Sequence, residues 1–216
     1  METSVTLRRA LLACGLLSSA LYVAMDIYAA LSSPGYDYRS QAISELSAIG
    51  APTAELLAPF QTLYGILFVA FGGGVWLAAG GRARLRWCGG LIIALSAIGI
   101  AWTFFPMNLR GAERGLTDTM HLVMSGVTVI LLLSAIASGA AAFGRGFRLY
   151  SAVTILALLF FGFLTGLDAP RVAANLPTPW LGINERLMMA SWLLWMAVLS
   201  VKLLRESATS RRARRF

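Results

Sequence analysis

The chain of 216 residues holds one histidine, and it lies in "TDTMH", 117–121. If a helix begins near Thr117, Asp118 and His121 stand three positions apart and share one face. A carboxylate turned toward an imidazole fixes its tautomer and raises its basicity, as acid–base chemistry on an ester, amide or phosphodiester requires. His121 is the candidate general base and Asp118 its orienting partner. Thr117 or Asp118 equally suits a helix start as a cap, so the pair carries a structural reading beside the catalytic one. A lone histidine makes a zinc centre only if carboxylates supply the other ligands, Cys14 and Cys88 show no ligand spacing, and no cofactor is implied.

A second set of polar residues could bind a substrate: Asp26, Ser44, Glu45, Asp168, Glu185 and Arg186. Asp26 stands deep in an apolar run, where a carboxylate needs a partner or a cavity, and Arg39, Arg110 or Arg171 is the expected counter-ion. Glu185 calls for an arginine or histidine on the same ground. Asp168 and Arg171, in "GLDAPR", are close enough for a local ion pair. Glu45, Asp118, His121, Asp168 and Glu185 are expected to line one outward pocket.

These residues must be positioned by a membrane fold. The chain is 58% hydrophobic and 13% charged, against about a quarter charged in soluble domains. Six stretches, at about 10–32, 55–79, 86–106, 117–142, 147–167 and 180–204, reach the roughly 20 apolar residues that span a bilayer as a helix. "VTVILLLSAIASGAAA" is continuously apolar, unlike the short alternating strands of an outer-membrane barrel. Arg9 stands too near Cys14 to leave room for a signal-peptide core, so the first run reads as a retained span. The expectation is all-α: one domain, an integral membrane bundle of six transmembrane helices arranged as three hairpins.

Charge orients the bundle. Of 18 lysines and arginines, only Arg39, Arg110, Arg114, Arg171 and Arg186 fall on the side opposite the N-terminus. The positive-inside rule therefore predicts both termini in the cytoplasm, with 205–216 as a basic cytoplasmic tail. This asymmetry accounts for the net charge of +8 without any nucleic acid. Eight of the ten carboxylates gather toward the opposite, outward side.

The outward loops are the longer ones, and the first, about 33–54, contains "SQAISELSAIG". Ile43, Leu46 and Ile49 recur every three residues, with Gln41, Ser44 and Glu45 off that stripe. The spacing predicts a short interfacial or re-entrant helix, ended by Gly50 and Pro52, that brings Glu45 toward Asp118 and His121.

"ISELSAIGAPTA" at 43–54, "YG" at 64–65, "FPMN" at 105–108 with His121 beyond it, and "PWLGINERL" at 179–187 resemble the domain of unknown function 998 family over about the whole chain. Where that family shows "FPMD", this chain has Asn108. The resemblance implies a prokaryotic multi-pass protein of the bacterial or archaeal cell membrane and brings no activity with it. The polar loop after the first helix is more loosely similar to the Frag/DRAM/Sfk group, connected with lipid or lipid-anchor handling. Three functions are open: binding or remodelling membrane lipid in the outward pocket, a non-catalytic subunit or scaffold with a membrane-protein partner, and a small ion-coupled transporter.

Overall fold

The structure, a computed structural model, describes residues 2–213, and side chains over 5–209. Six helices follow one another: α1 (Glu2–Ser32), α2 (Ala54–Ala78), α3 (Ala83–Trp102), α4 (Leu116–Ala141), α5 (Arg145–Ala173) and α6 (Leu181–Ala213). A single 3₁₀ turn, Ile43–Ser47, lies between α1 and α2. All six helices are long and apolar enough to cross a membrane, and their exposed flanks carry Leu, Val, Ile and Phe. In hydrocarbon a helix is the stable form for such runs because it satisfies its own backbone. The protein is a multi-pass, six-helix membrane protein.

The sequence places the helices well but ends some of them differently. α5 runs past the expected stop at 167 through Pro170 to Ala173. Proline removes one backbone donor near the helix end. There Arg114, from the loop after α3, donates to the carbonyl of Ala169 at 2.9 Å. α3 ends at Trp102 rather than 106. The expected basic tail is helical through Ala213 as a continuation of α6, while Arg214 and Arg215 lie outside the described residues.

Neighbours in sequence pack from α1 to α4, α5 packs on α6, and α6 returns to α1 and closes the ring; α4 and α5 pack less closely. Three contacts fix the antiparallel register of α1 on α6. The Ser200 hydroxyl donates to the carbonyl of Leu12, Ser19 donates to that of Leu193, and Arg186 meets Asp26. The two termini therefore share one end of the bundle with the turns 79–82 and 142–144. Residues 33–53, 103–115 and 174–180 form the other, here called the loop end. Trp195, Phe71, Ile136 and Met196 fill the centre without exposure, and the Trp195 indole donates to the Ser151 hydroxyl at 2.9 Å.

Small residues let α2 and α3 touch backbone to backbone. A Cβ on Gly89 would stand 2.7 Å from the Trp76 nitrogen and 2.9 Å from the Gly72 carbonyl oxygen. Neither backbone atom can move aside alone. Gly89→Ala should therefore lower stability by about 1–3 kcal/mol, whereas Gly73→Ala, with nothing within 4 Å of its Cβ, should be neutral. Equal thermal midpoints for the two variants in mild detergent would show that this contact does not hold the helices.

Candidate functional site

The loop end is built around two buried ion pairs. The Arg186 guanidinium grips Asp26 with both arms, Nη2 to Oδ1 at 2.8 Å and Nε to Oδ2 at 2.9 Å. Tyr38 donates its hydroxyl to the same Oδ2, and its ring lies 3.5 Å beneath the guanidinium carbon. Arg186 also donates to the Tyr36 hydroxyl oxygen and to the carbonyl of Tyr38. The expected partners of Asp26, Arg39, Arg110 and Arg171, are replaced by Arg186 because the register of α1 on α6 sets 26 opposite 186. Burial pushes the Tyr36 phenol up to about 12, and burial likewise raises that of Tyr38. Both hydroxyls stay protonated, and so remain donors, across the physiological range.

The second pair joins two loops. Arg110 donates from Nη2 to Oε1 of Glu45 at 2.9 Å and from Nε to Oε2 at 3.2 Å. Glu45 also accepts the Ala42 N–H and the Gln41 side-chain amide. The buried stripe of the 3₁₀ segment is accordingly one residue off the expected one. Ala42, Glu45 and Ala48 face inward, and Ile49 is 48% exposed. The Glu45 carboxylate can stay buried beside these alanines because Arg110 neutralises it. Leu46 alone of the expected apolar stripe is fully buried, against Met25, Ala29 and Leu57.

Glu185 finds neither an arginine nor a histidine among the described residues; its Oε2 accepts the Ile43 N–H at 2.6 Å. This bond, with Ile183 N–H to the Arg39 carbonyl, straps residues 39–43 across the start of α6. Gly182 permits the crossing, since a Cβ there would strike the carbonyl oxygens of Tyr38 and Gln41. Ser44 is partly buried beside Glu45, and its carbonyl accepts from Ser47. Asp168 keeps its expected local partner, with Arg171 Nε at 3.7 Å.

Asp118 and His121 do share a face of α4, but they do not form a hydrogen-bonded pair. The Asp118 carboxylate accepts from the N–H and the side-chain amide of Asn108, at 2.8 and 2.6 Å, and from the Gly115 N–H at 2.9 Å. It caps the helix and ties the loop before it. His121 Nδ1 lies 3.2 Å from the Phe105 carbonyl oxygen. A carbonyl only accepts, so Nδ1 carries the proton and Nε2 the lone pair. The indole of Trp102, 4.2 Å away centre to centre, packs edge-on against the ring. The backbone of Phe105, rather than a carboxylate, thus orients the imidazole.

An open hollow of about 470 Å³ does lie at this end, lined by Asp37, Arg39, Ser40, Gln41, Arg110, Pro177, Thr178 and Pro179. It is built from residues other than the five expected; Glu45 and Glu185 are drawn under the loops by Arg110 and the Ile43 N–H, and Asp118 by Asn108 and Gly115. Arg39 stacks 3.7 Å over the Trp180 ring, and no carboxylate oxygen stands within 4.0 Å of it among the described residues. Thr178 donates to the carbonyl of Ser40, fixing one wall. The Ser40 hydroxyl and the Arg39 N–H hold the Asp37 carboxyl below its usual range. Sequence spacing offers Arg39 and Arg110 only as counter-ions; no sequence signal marks Arg39, because Trp180, on which it stacks, lies in a distant loop.

No curated protein and no solved structure matches the chain. The family model for "protein of unknown function (DUF998)" matches residues 16–202, a span that holds all the motifs quoted above and reaches into all six helices. The chain belongs to the DUF998 family.

Proposed function

We propose that the protein binds membrane lipid at its loop end, with a phosphate-bearing headgroup in the hollow between Arg39 and Arg110. The observation that carries this reading is Arg39: held on Trp180, it lines the hollow with no carboxylate oxygen within 4.0 Å of it among the described residues. Guanidinium groups recognise phosphate through paired, charge-assisted hydrogen bonds. Arg110 lines the same hollow, its charge met by Glu45 and its other contacts holding the loops together. Asp37, in the same lining, suits the ammonium of a zwitterionic headgroup such as phosphatidylethanolamine. Tryptophan is enriched at the depth of lipid headgroups, which supports a position of the hollow at the membrane boundary. The positive-inside distribution would turn this end outward.

The reading is one of binding. Asp118 is spent on the helix cap and His121 on Phe105 and Trp102, so neither contributes a wall of the hollow. Native mass spectrometry of the full chain released from mild detergent, with phosphatidylethanolamine added, tests it. Wild type should retain one phosphatidylethanolamine, and Arg39→Ala, which leaves both buried ion pairs in place, should lose it at least tenfold more readily. Equal retention by the two proteins would sink the reading. A wild type that retains none would favour the non-catalytic subunit or scaffold, in which the ion pairs only brace the loops.

A further inference from the structure

The opposite end of the molecule carries a second hollow with different chemistry. Between α5 and α6 runs a groove of about 910 Å³. It is lined by Phe147, Ala197, Val198 and Val201 and, toward the end of the bundle, by Lys202, Arg205, Glu206 and Thr209. Ala197 and Val201, like Val198 and Lys202, are one turn apart, so the apolar lining continues along α6 into the span while the basic groups stand at its edge. The Lys202 ammonium rests over aromatic faces, 4.7 Å from the centre of Phe143 and 6.0 Å from that of Phe147. Cation–π contact holds the ammonium there and leaves its charge in place.

The charge at this end is one-sided. Arg82, Arg84, Arg86, Arg145, Arg148, Lys202 and Arg205 gather here, and Glu206 is the one carboxylate among residues 5–209 at this end. Glu206 is engaged by Arg82 at 3.1 Å. Neither Lys202 nor Arg205 has a carboxylate oxygen within 4.0 Å among the described residues.

We infer that this groove binds one anionic phospholipid, its acyl chain along Phe147, Val198 and Val201 and its phosphate between Lys202 and Arg205. An apolar trough opening on two cations, with its one lining carboxylate, Glu206, paired to Arg82, fits a molecule that is apolar along its length and negative at its head. A zwitterionic lipid fits less well, because its ammonium would need an acidic acceptor and the carboxylate at hand is bonded to Arg82. The site is separate from the loop-end hollow in position and in preferred lipid, so either can fail alone.

The test is a competition read by native mass spectrometry, with phosphatidylglycerol and phosphatidylcholine of matched chains added to the full-length protein in mild detergent. Wild type should favour phosphatidylglycerol at least about tenfold, since each basic group near the phosphate strengthens anionic binding severalfold. The double variant Lys202→Ala/Arg205→Ala should reduce that preference to near unity, and Val201→Trp, which fills the trough, should remove the adduct while both cations remain. Gly73→Ala, at a residue that lines neither hollow, should leave the phosphatidylglycerol adduct unchanged. A wild type without preference, or a preference that survives both groove variants, would overturn the inference. So would a dimer that Val201→Trp dissociates and that carries no lipid, because a second copy would then occupy the groove.

Discussion

Methionine in place of Arg186 should cost the fold about 3–5 kcal/mol, because it strands the Asp26 carboxylate inside the bundle. Asp26 is 6% exposed, and once both guanidinium bonds are gone only the Tyr38 hydroxyl still donates to it. The converse change is milder. Asp26→Asn leaves Arg186 with the carbonyls of Tyr38 and Gly182, the Tyr36 hydroxyl and the Tyr38 ring. A loss of about 2 kcal/mol, the scale of a hydrogen bond to a charged group, is expected. In the double variant no charge is stranded, so Asp26→Asn/Arg186→Met should be more stable than Arg186→Met alone. Thermal unfolding in mild detergent gives the ranking. If the double variant is the least stable of the three, the pair stabilises by more than its own neutralisation, and the desolvation account is wrong.

That pair also marks the limit of what the sequence discloses. The spans are legible because bilayer thickness imposes one length on every apolar run, and Val5–Ser32 or Leu116–Ala141 admits no other reading. Partner choice is not legible in the same way. Asp26 and Arg186 stand 160 positions apart, and they meet through the register of α1 on α6, set by contacts such as Ser200 to the Leu12 carbonyl and Ser19 to that of Leu193. Glycine contacts such as Gly15 against Phe71 and Gly74 against Leu12 seat α1 on α2. Those contacts arise at glycines that also fall elsewhere in the chain without touching anything. The 3₁₀ segment shows a second limit. Its period of three was readable from Ile43, Leu46 and Ile49, but the buried row is Ala42, Glu45 and Ala48. Hydrophobicity ranks isoleucine inward and glutamate outward; an arginine 65 positions away reverses the order.

Because Arg110 reverses that order, removing it should act locally. Arg110→Ala deletes the two bonds to Glu45 and those to the carbonyls of Ser40 and Leu176. Glu45 keeps the Ala42 N–H and the Gln41 amide, too little for a carboxylate with a side chain 2% exposed. Turning outward to water, it should carry the 3₁₀ segment with it, since Ala42 and Ala48 flank it on the same face. The helices lose none of their own contacts. Hydrogen exchange should therefore quicken at Ile43 and Ile49, whose N–H groups bond Glu185 and the Met107 carbonyl, by about a hundredfold or more, the equivalent of 2–3 kcal/mol of local opening. Amides within α2 and α3 should keep their protection. Uniform acceleration across the chain would mean that Arg110 supports the whole bundle, and unchanged exchange at Ile43 and Ile49 would mean that Glu185 and the Met107 carbonyl hold the loop without it. Arg110→Lys separates charge from geometry: a point charge can neutralise Glu45 but cannot grip both oxygens and two carbonyls at once. It should recover part of the protection at Ile43 and little at Ile49, where the loops must be held in register.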